Sequence, residues 1–129
     1  MNALVQTADG VFEVDLEDEL VLGLDANAHL ESDGPEVALP RVVATAASGS
    51  TVVAVVDRRP PLAVSHDAGV TWREAGGGLP AGRAVAIEED DPDVVLYAAR
   101  NRLYLSTDGA RFWRALTPEL PEIQAVSFK

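Results

Sequence analysis

The sequence predicts an all-β chain built from repeated four-stranded units, and three observations carry this. No segment shows the 3.6-residue apolar periodicity of an amphipathic helix. Short runs rich in Val, Ala, Leu and Tyr alternate with clusters of Gly, Pro, Asp and Asn, the pattern of strands bounded by turns. One set of residues also recurs at a constant offset. Ser65, Asp67 and Trp72 return 41 positions later as Ser106, Asp108 and Trp113. Leu79-Pro80 returns as Leu120-Pro121 and Ala84-Val85 as Ala125-Val126, again 41 apart, and Leu39-Pro40 lies 40 residues before Leu79-Pro80. With 129 residues, 47% of them apolar, the chain is one domain with enough apolar surface for a core.

The elements follow in order. Strands are expected over 3–7 and 11–16, joined by Asp9-Gly10, a hairpin turn in which both central residues tolerate positive φ. A third strand runs over 20–24, followed by a long polar connection, 25–40. Four strands follow at 41–46, 51–57, 61–65 and 71–75, and four more at 83–88, 94–99, 102–106 and 112–116. Asn101-Arg102 holds the hairpin position corresponding to Asp9-Gly10. The last strand, 123–128, repeats the opening strand of the preceding unit. A period near 40 is that of a four-stranded propeller blade. Twelve strands make three blades: 1–40 completed by 123–128, then 41–82, then 83–121.

Ser65-His66-Asp67-Ala68-Gly69-Val70-Thr71-Trp72 resembles the Asp-box, or BNR repeat, of the form Ser-x-Asp-x-Gly-x-Thr-Trp. The match is close at Ser65, Asp67, Gly69, Thr71 and Trp72. It is looser at Ser106, Asp108, Gly109 and Trp113, where Gly109 falls one place early and Phe112 stands for Thr. Thr7 to Phe12 and Asp90 to Ala99 are similar to the surrounding family repeat. The family includes sialidases, xyloglucan-degrading enzymes, sortilin-type receptors and photosystem II assembly factors, so the resemblance implies a β-propeller and no single activity. The chemistry of the box is that of a staple. Short Asp and Ser side chains accept backbone N–H groups and hold a tight turn. Gly allows the turn's backbone, and Trp wedges a flat apolar body between sheets. The first blade departs from the pattern: its box position reads Asp15-Leu16-Glu17-Asp18-Glu19 without Trp. An ungapped alternative places its box at Asp25 to His29, also without Trp; the first reading is preferred because Ala8 to Phe12 fits the family's second hairpin.

The two ends of the chain are then complementary parts of one blade. The tail supplies an opening strand without a hairpin, and the head supplies hairpin strands without an opening strand. Three blades leave apolar faces and strand edges bare, whereas propellers have four to eight blades. The expected solution is a homodimer by strand exchange: two chains, head to tail, form a six-bladed ring with twofold symmetry. The alternatives are a remnant or piece of a longer propeller, a nine-bladed ring of three chains, and a monomeric sandwich.

Charge and side-chain chemistry bound the function. The net charge is −11, and residues 1–40 hold ten acids and neither Lys nor Arg. Residues 41–82 hold three acids and four arginines. This excess is read either as a surface adapted to high salt or as a docking face for a basic partner or another copy. It argues against nucleic acid. There is no cysteine, and no apolar run reaches the ~20 residues of a membrane helix. The start, Met1-Asn2-Ala3-Leu4, has no basic n-region, so a cytoplasmic location is expected.

Arg58, Arg59, Arg100 and Arg102 fall at equivalent hairpins and form a candidate ligand face, with solvated turn residues as the plainer reading. Tyr97 and Tyr104 sit in apolar strands and read as packing residues rather than as the tyrosine nucleophile of a sialidase. Glu88 to Asp93 reads as a solvated acidic turn, and His29 and His66 lack companions at ligand spacing. No catalytic residue, metal site or cofactor is assigned. The reading is a non-catalytic binding or scaffolding module with a protein or glycan ligand. The alternative, carried only by the family resemblance, is a carbohydrate-binding or glycosidase-related protein.

Overall fold

The computed structural model describes residues 1–31 and 34–129; Ser32 and Asp33, inside the 25–40 connection, lie outside the described residues. The chain forms twelve strands and, among the described residues, no helix. These are β1 (Asn2–Thr7), β2 (Gly10–Asp15), β3 (Leu20–Asp25), β4 (Val42–Ser48), β5 (Thr51–Val56) and β6 (Leu62–Ser65), then β7 (Arg73–Ala75), β8 (Ala84–Ile87), β9 (Val95–Ala98), β10 (Arg102–Ser106), β11 (Arg114–Glu119) and β12 (Ile123–Phe128). The largest displacement from the sequence pattern is β11, which starts two residues late because Phe112 and Trp113 belong to the preceding turn.

The strands make three antiparallel four-stranded sheets. Sheet I has the order β12-β1-β2-β3, sheet II β4-β5-β6-β7 and sheet III β8-β9-β10-β11. Sheet I therefore draws on both ends of the chain. The sequence reading placed β12 on a second copy; in the single chain it lies on its own β1, with Val5 opposite Val126 and Ala3 opposite Phe128. The three-residue step from β11 holds β12 beside sheet III. There Ile123, Val126 and Phe128 share an apolar cluster with Ala3, Val5 and Val14 of the incoming strands. The long connection from β3 to β4 is what lets β1 reach it.

Sheet III is the middle layer. Its first strand, β8, packs against both β4 of sheet II and β12 of sheet I. Two cores result, one on each face of sheet III, because alternate residues of a strand point to opposite faces. Toward sheet I, Leu96, Leu103, Leu105 and Leu116 meet Val5, Val14 and Leu16. Toward sheet II, Val85, Val95 and Tyr97 meet Val53, Val55, Leu62 and Val64. Tyr97 is fully buried, edge-on to Trp113 with ring centroids 5.8 Å apart and to Tyr104 at 6.1 Å. Gly82 allows this arrangement, since a Cβ there would fall 2.5 Å from the Tyr97 hydroxyl oxygen.

The connection after β3 crosses from sheet I to sheet II. The Leu30 amide donates to Gln6 Oε1 at 2.8 Å on sheet I. Thr45 Oγ1 of sheet II donates to the Pro35 carbonyl at 2.6 Å.

Candidate functional site

The two octapeptides form the turns β6–β7 and β10–β11, and their side chains are occupied locally. Ser65 Oγ donates to Asp67 Oδ1 at 2.7 Å and accepts the Gly69 amide at 2.8 Å. Asp67 accepts the Thr71 amide at 2.8 Å and the Thr71 hydroxyl at 2.5 Å. These donors, led by the Thr71 hydroxyl, hold the Asp67 carboxyl down to about 2. In the second turn Ser106 Oγ donates to Asp108 Oδ1 at 2.8 Å, and Asp108 accepts the Arg111 and Phe112 amides. The Phe112 amide contributes most to lowering the Asp108 carboxyl. Both aspartates are thus kept ionised and engaged, the opposite of what a general acid requires.

The early glycine of the second turn has a simple geometric reading. Each turn places two consecutive residues at positive φ, Ala68 and Gly69 in one, Gly109 and Ala110 in the other. Glycine fits either place, since only it adopts this backbone without steric cost. The tryptophans diverge. Trp72 Nε1 donates to the Gly69 carbonyl at 3.0 Å, whereas Trp113 is wedged against Tyr97 between sheets II and III and its buried Nε1 has no partner among the described residues.

The β2–β3 turn of sheet I is built differently from the two octapeptide turns. It is held by Asp15, whose Oδ1 accepts the Glu17 and Asp18 amides. Leu16 fills the apolar position beneath, fully buried.

The arginines of the candidate ligand face are not brought together around one pocket. Arg58 and Arg59 are exposed on the β5–β6 hairpin and Arg100 on the β9–β10 hairpin. Arg102 is paired with Glu119 across its own sheet at 3.1 Å. Of the four, Arg59 borders a shallow depression with Tyr104 and Leu79. His66 lies 3.4 Å from Thr51 Oγ1 and His29 is exposed. The Glu88–Asp93 turn is closed by its own backbone, with Glu88 N bonded to the Val94 carbonyl at 3.0 Å. No cluster of three His, Cys, Asp or Glu residues suited to a metal occurs among the described residues. Burial pushes the Tyr97 hydroxyl up, and it donates to the Pro80 carbonyl at 2.5 Å, so the side chain serves packing.

One further concavity was not singled out in the sequence. The inner strands β4, β8 and β12 line a groove of about 720 Å³, flanked by the Leu30–Glu31 and Gly34–Pro35 parts of the connection. Each is the edge of its sheet, so backbone groups left out of the ladder face this space. Its lining mixes small side chains (Ala46, Ala47, Ala125, Ser127) with Val43, Ile87 and Phe128, and Arg83, Glu88 and Lys129 are among the charged residues around it. Arg83 pairs with Glu122 at 3.0 Å and Lys129 with Glu13 at 2.8 Å. The signal that marks the groove is an alanine shared by the three opening strands, Ala44, Ala84 and Ala125, at steps of 40 and 41 residues.

No family model matches the chain, and no curated protein matches it in sequence. Among solved structures it is similar to a crystal structure of the GH74 enzyme of Niastella koreensis, with a TM-score of 0.51 and 20% identity. The match covers 93% of this chain and 18% of that one. No helix of the structure is long and apolar enough to cross a membrane. At this identity the likeness is one of fold, and the fold is all-β and propeller-like, made of three four-stranded antiparallel sheets.

Proposed function

We infer that the chain is a non-catalytic binding or scaffolding module whose binding surface is the groove between β4, β8 and β12. The observation that carries this is the division of labour among polar groups. The two box carboxylates are consumed inside their own turns, while the groove offers edge-strand backbone beside small and apolar side chains with charges at its border. Such a surface suits an extended or narrow ligand bound by main-chain hydrogen bonds. The octapeptide turns are structural staples in this reading, and the hairpin arginines are solvated.

The test is capture of a protein partner by the full chain alongside a panel of oligosaccharides and glycosidase substrates. Ala47 and Gln124 are exposed within the groove, so Ala47→Trp and Gln124→Trp fill it at little cost to the core. A protein ligand lost at least tenfold in affinity by both variants supports the reading. Turnover of a glycoside, or a ligand indifferent to both tryptophans, overturns it in favour of the carbohydrate-related alternative or another surface.

A further inference from the structure

Sheets II, III and I are joined by one repeated contact. Arg73, the first residue of β7, donates to the Gly109 carbonyl in the turn of sheet III. Arg114, the first residue of β11 and 41 positions on, donates to the Leu16 carbonyl in the turn of sheet I at 3.0 Å. Each sheet thus holds the next by the start of its outer strand. Sheet I holds nothing in this way, since its corresponding residue is Leu20, 55% exposed. The turn that would come next in the cycle is that of sheet II, where Ala68 stands 41 positions before Gly109 and is exposed, and Val70, two residues on, is 79% exposed. Here the outer strand starts with an apolar residue instead of an arginine, and an exposed valine lies beside the position of the carbonyl.

Other features point to the same missing junction. Among the described residues, every exposed large apolar side chain except Phe112 belongs to the two end sheets or to Met1 beside them: Leu20, Val21, Leu22 and Leu24 of sheet I, Val43 and Val70 of sheet II. Trp113 is wedged between sheets III and II, whereas Trp72, its repeat equivalent, enters neither inter-sheet core. The charges are also complementary: the segment that contains β1–β3 carries ten acids without a base, and 41–82 is net +1 with four arginines. Finally, 16 residues separate β3 from β4, against eight between β7 and β8 and three between β11 and β12. In the single chain that long connection runs between sheets that lie on opposite sides of sheet III. The same span also reaches a neighbouring sheet, so it allows both arrangements and can serve as the hinge of an exchange.

We propose that two copies of this chain exchange β1–β3, so that β12 of each pairs with β1 of the other, and that the six sheets close into one ring. This rests on the reading of the groove as the binding surface and deepens it, because the groove of one chain becomes half of a channel lined by six inner strands. Every contact between β12 and β1, and between sheets III and I, is retained in the exchanged form. The gain is the sheet I–sheet II junction, in which the exposed Leu20 and Val70 and the half-buried Trp72 are covered. Exchange of an element through a long hinge is a low-cost route to a dimer.

The absence of cysteine gives a clean test. Leu4 and Ser127 are cross-strand partners in the β1–β12 ladder, within reach of a disulfide once both are cysteine. Copies carrying Leu4→Cys are refolded together with copies carrying Ser127→Cys and oxidised. Exchange predicts a covalent species of twice 13.6 kDa, and a native mass of the unmodified chain at the same doubled value. Leu20→Asp with Val70→Asp shifts that native mass to a single chain. A mass of one chain at all concentrations overturns the proposal. So does a dimer that gives no mixed cross-link while the Leu4→Cys/Ser127→Cys double variant closes internally. Neither result touches ligand capture by the groove, whose loss is read separately with Ala47→Trp and Gln124→Trp.

Discussion

At the scale of the residue, the chain shows how an acidic side chain is withdrawn from chemistry. Asp67 accepts three hydrogen bonds from Ser65 and Thr71, and these favour the ionised form. Its carboxyl sits below the usual value of 3.8, near 2. A carboxyl depressed by folding contributes stability that is complete above its unfolded pKa and is lost as the pH falls through the folded one. The contribution of Asp67 is therefore present above about pH 5 and disappears between about pH 4 and 2. Urea midpoints measured across that range should fall less steeply for Asp67→Asn than for the parent chain, and the two curves should converge at the acid end. The identities of these side chains and their spacing were legible in the sequence. The positive φ shared by Ala68 and Ala110 was not, because alanine gives no sign of a left-handed backbone that its neighbours impose.

Elements are joined mainly by apolar burial, with hydrogen bonds fixing orientation. The cluster between sheets III and I holds four buried leucines of sheet III, and truncating one, such as Leu96→Ala, should cost about 2–5 kcal/mol. Arg114 acts differently. Its guanidinium reaches the Leu16 carbonyl at 3.0 Å and stands 4.0 Å from Glu19, which in turn accepts the Thr117 amide and hydroxyl. The Thr117 amide is the main reason that the Glu19 carboxyl is lowered. Arg114 is half-exposed, so Arg114→Ala should cost only about 1 kcal/mol in global stability. Its larger effect should appear as faster hydrogen exchange confined to β1–β3, since those strands are otherwise held to sheet III by packing and by the Thr117–Glu19 hydrogen bonds. The strands themselves were legible from alternation and turn residues, but the clasp was not. Arg73 and Arg114 share the 41-residue period, and nothing in a sequence distinguishes an inter-sheet arginine from a solvated one.

For the molecule as a whole, charge is distributed as unevenly as apolar surface. Of a net charge of −11, ten negative charges lie in residues 1–40 without a compensating base. Among the described residues of that segment only a few acids find a cation, among them Glu13 with Lys129 and Glu17 with the N-terminus at 3.0 Å. Repulsion among the rest opposes folding and is screened within about 10 Å at 0.1 M salt. Thermal melting should therefore move upward between about 0.05 and 1 M sodium chloride. Neutralising pairs of carboxylates in 15–25 by Asp→Asn and Glu→Gln should flatten that dependence. A melting temperature that falls with salt would show that ion pairs, not repulsion, dominate this segment.

By itself the sequence determined the strands, the four-strand grouping and the two stapled turns. These depend on local rules: alternation along a strand, backbone freedom at a turn, and short-range acceptance by Ser and Asp. Tertiary structure decided where β12 lies in the single chain, which residues line the groove, which arginines bridge sheets, and that the hairpin arginines stay apart. These depend on how sheets stack, and stacking brings together residues such as Arg114 and Leu16 that are 98 positions apart in the chain. Local pattern carries no information about that distance; burial and the reach of one connecting segment do.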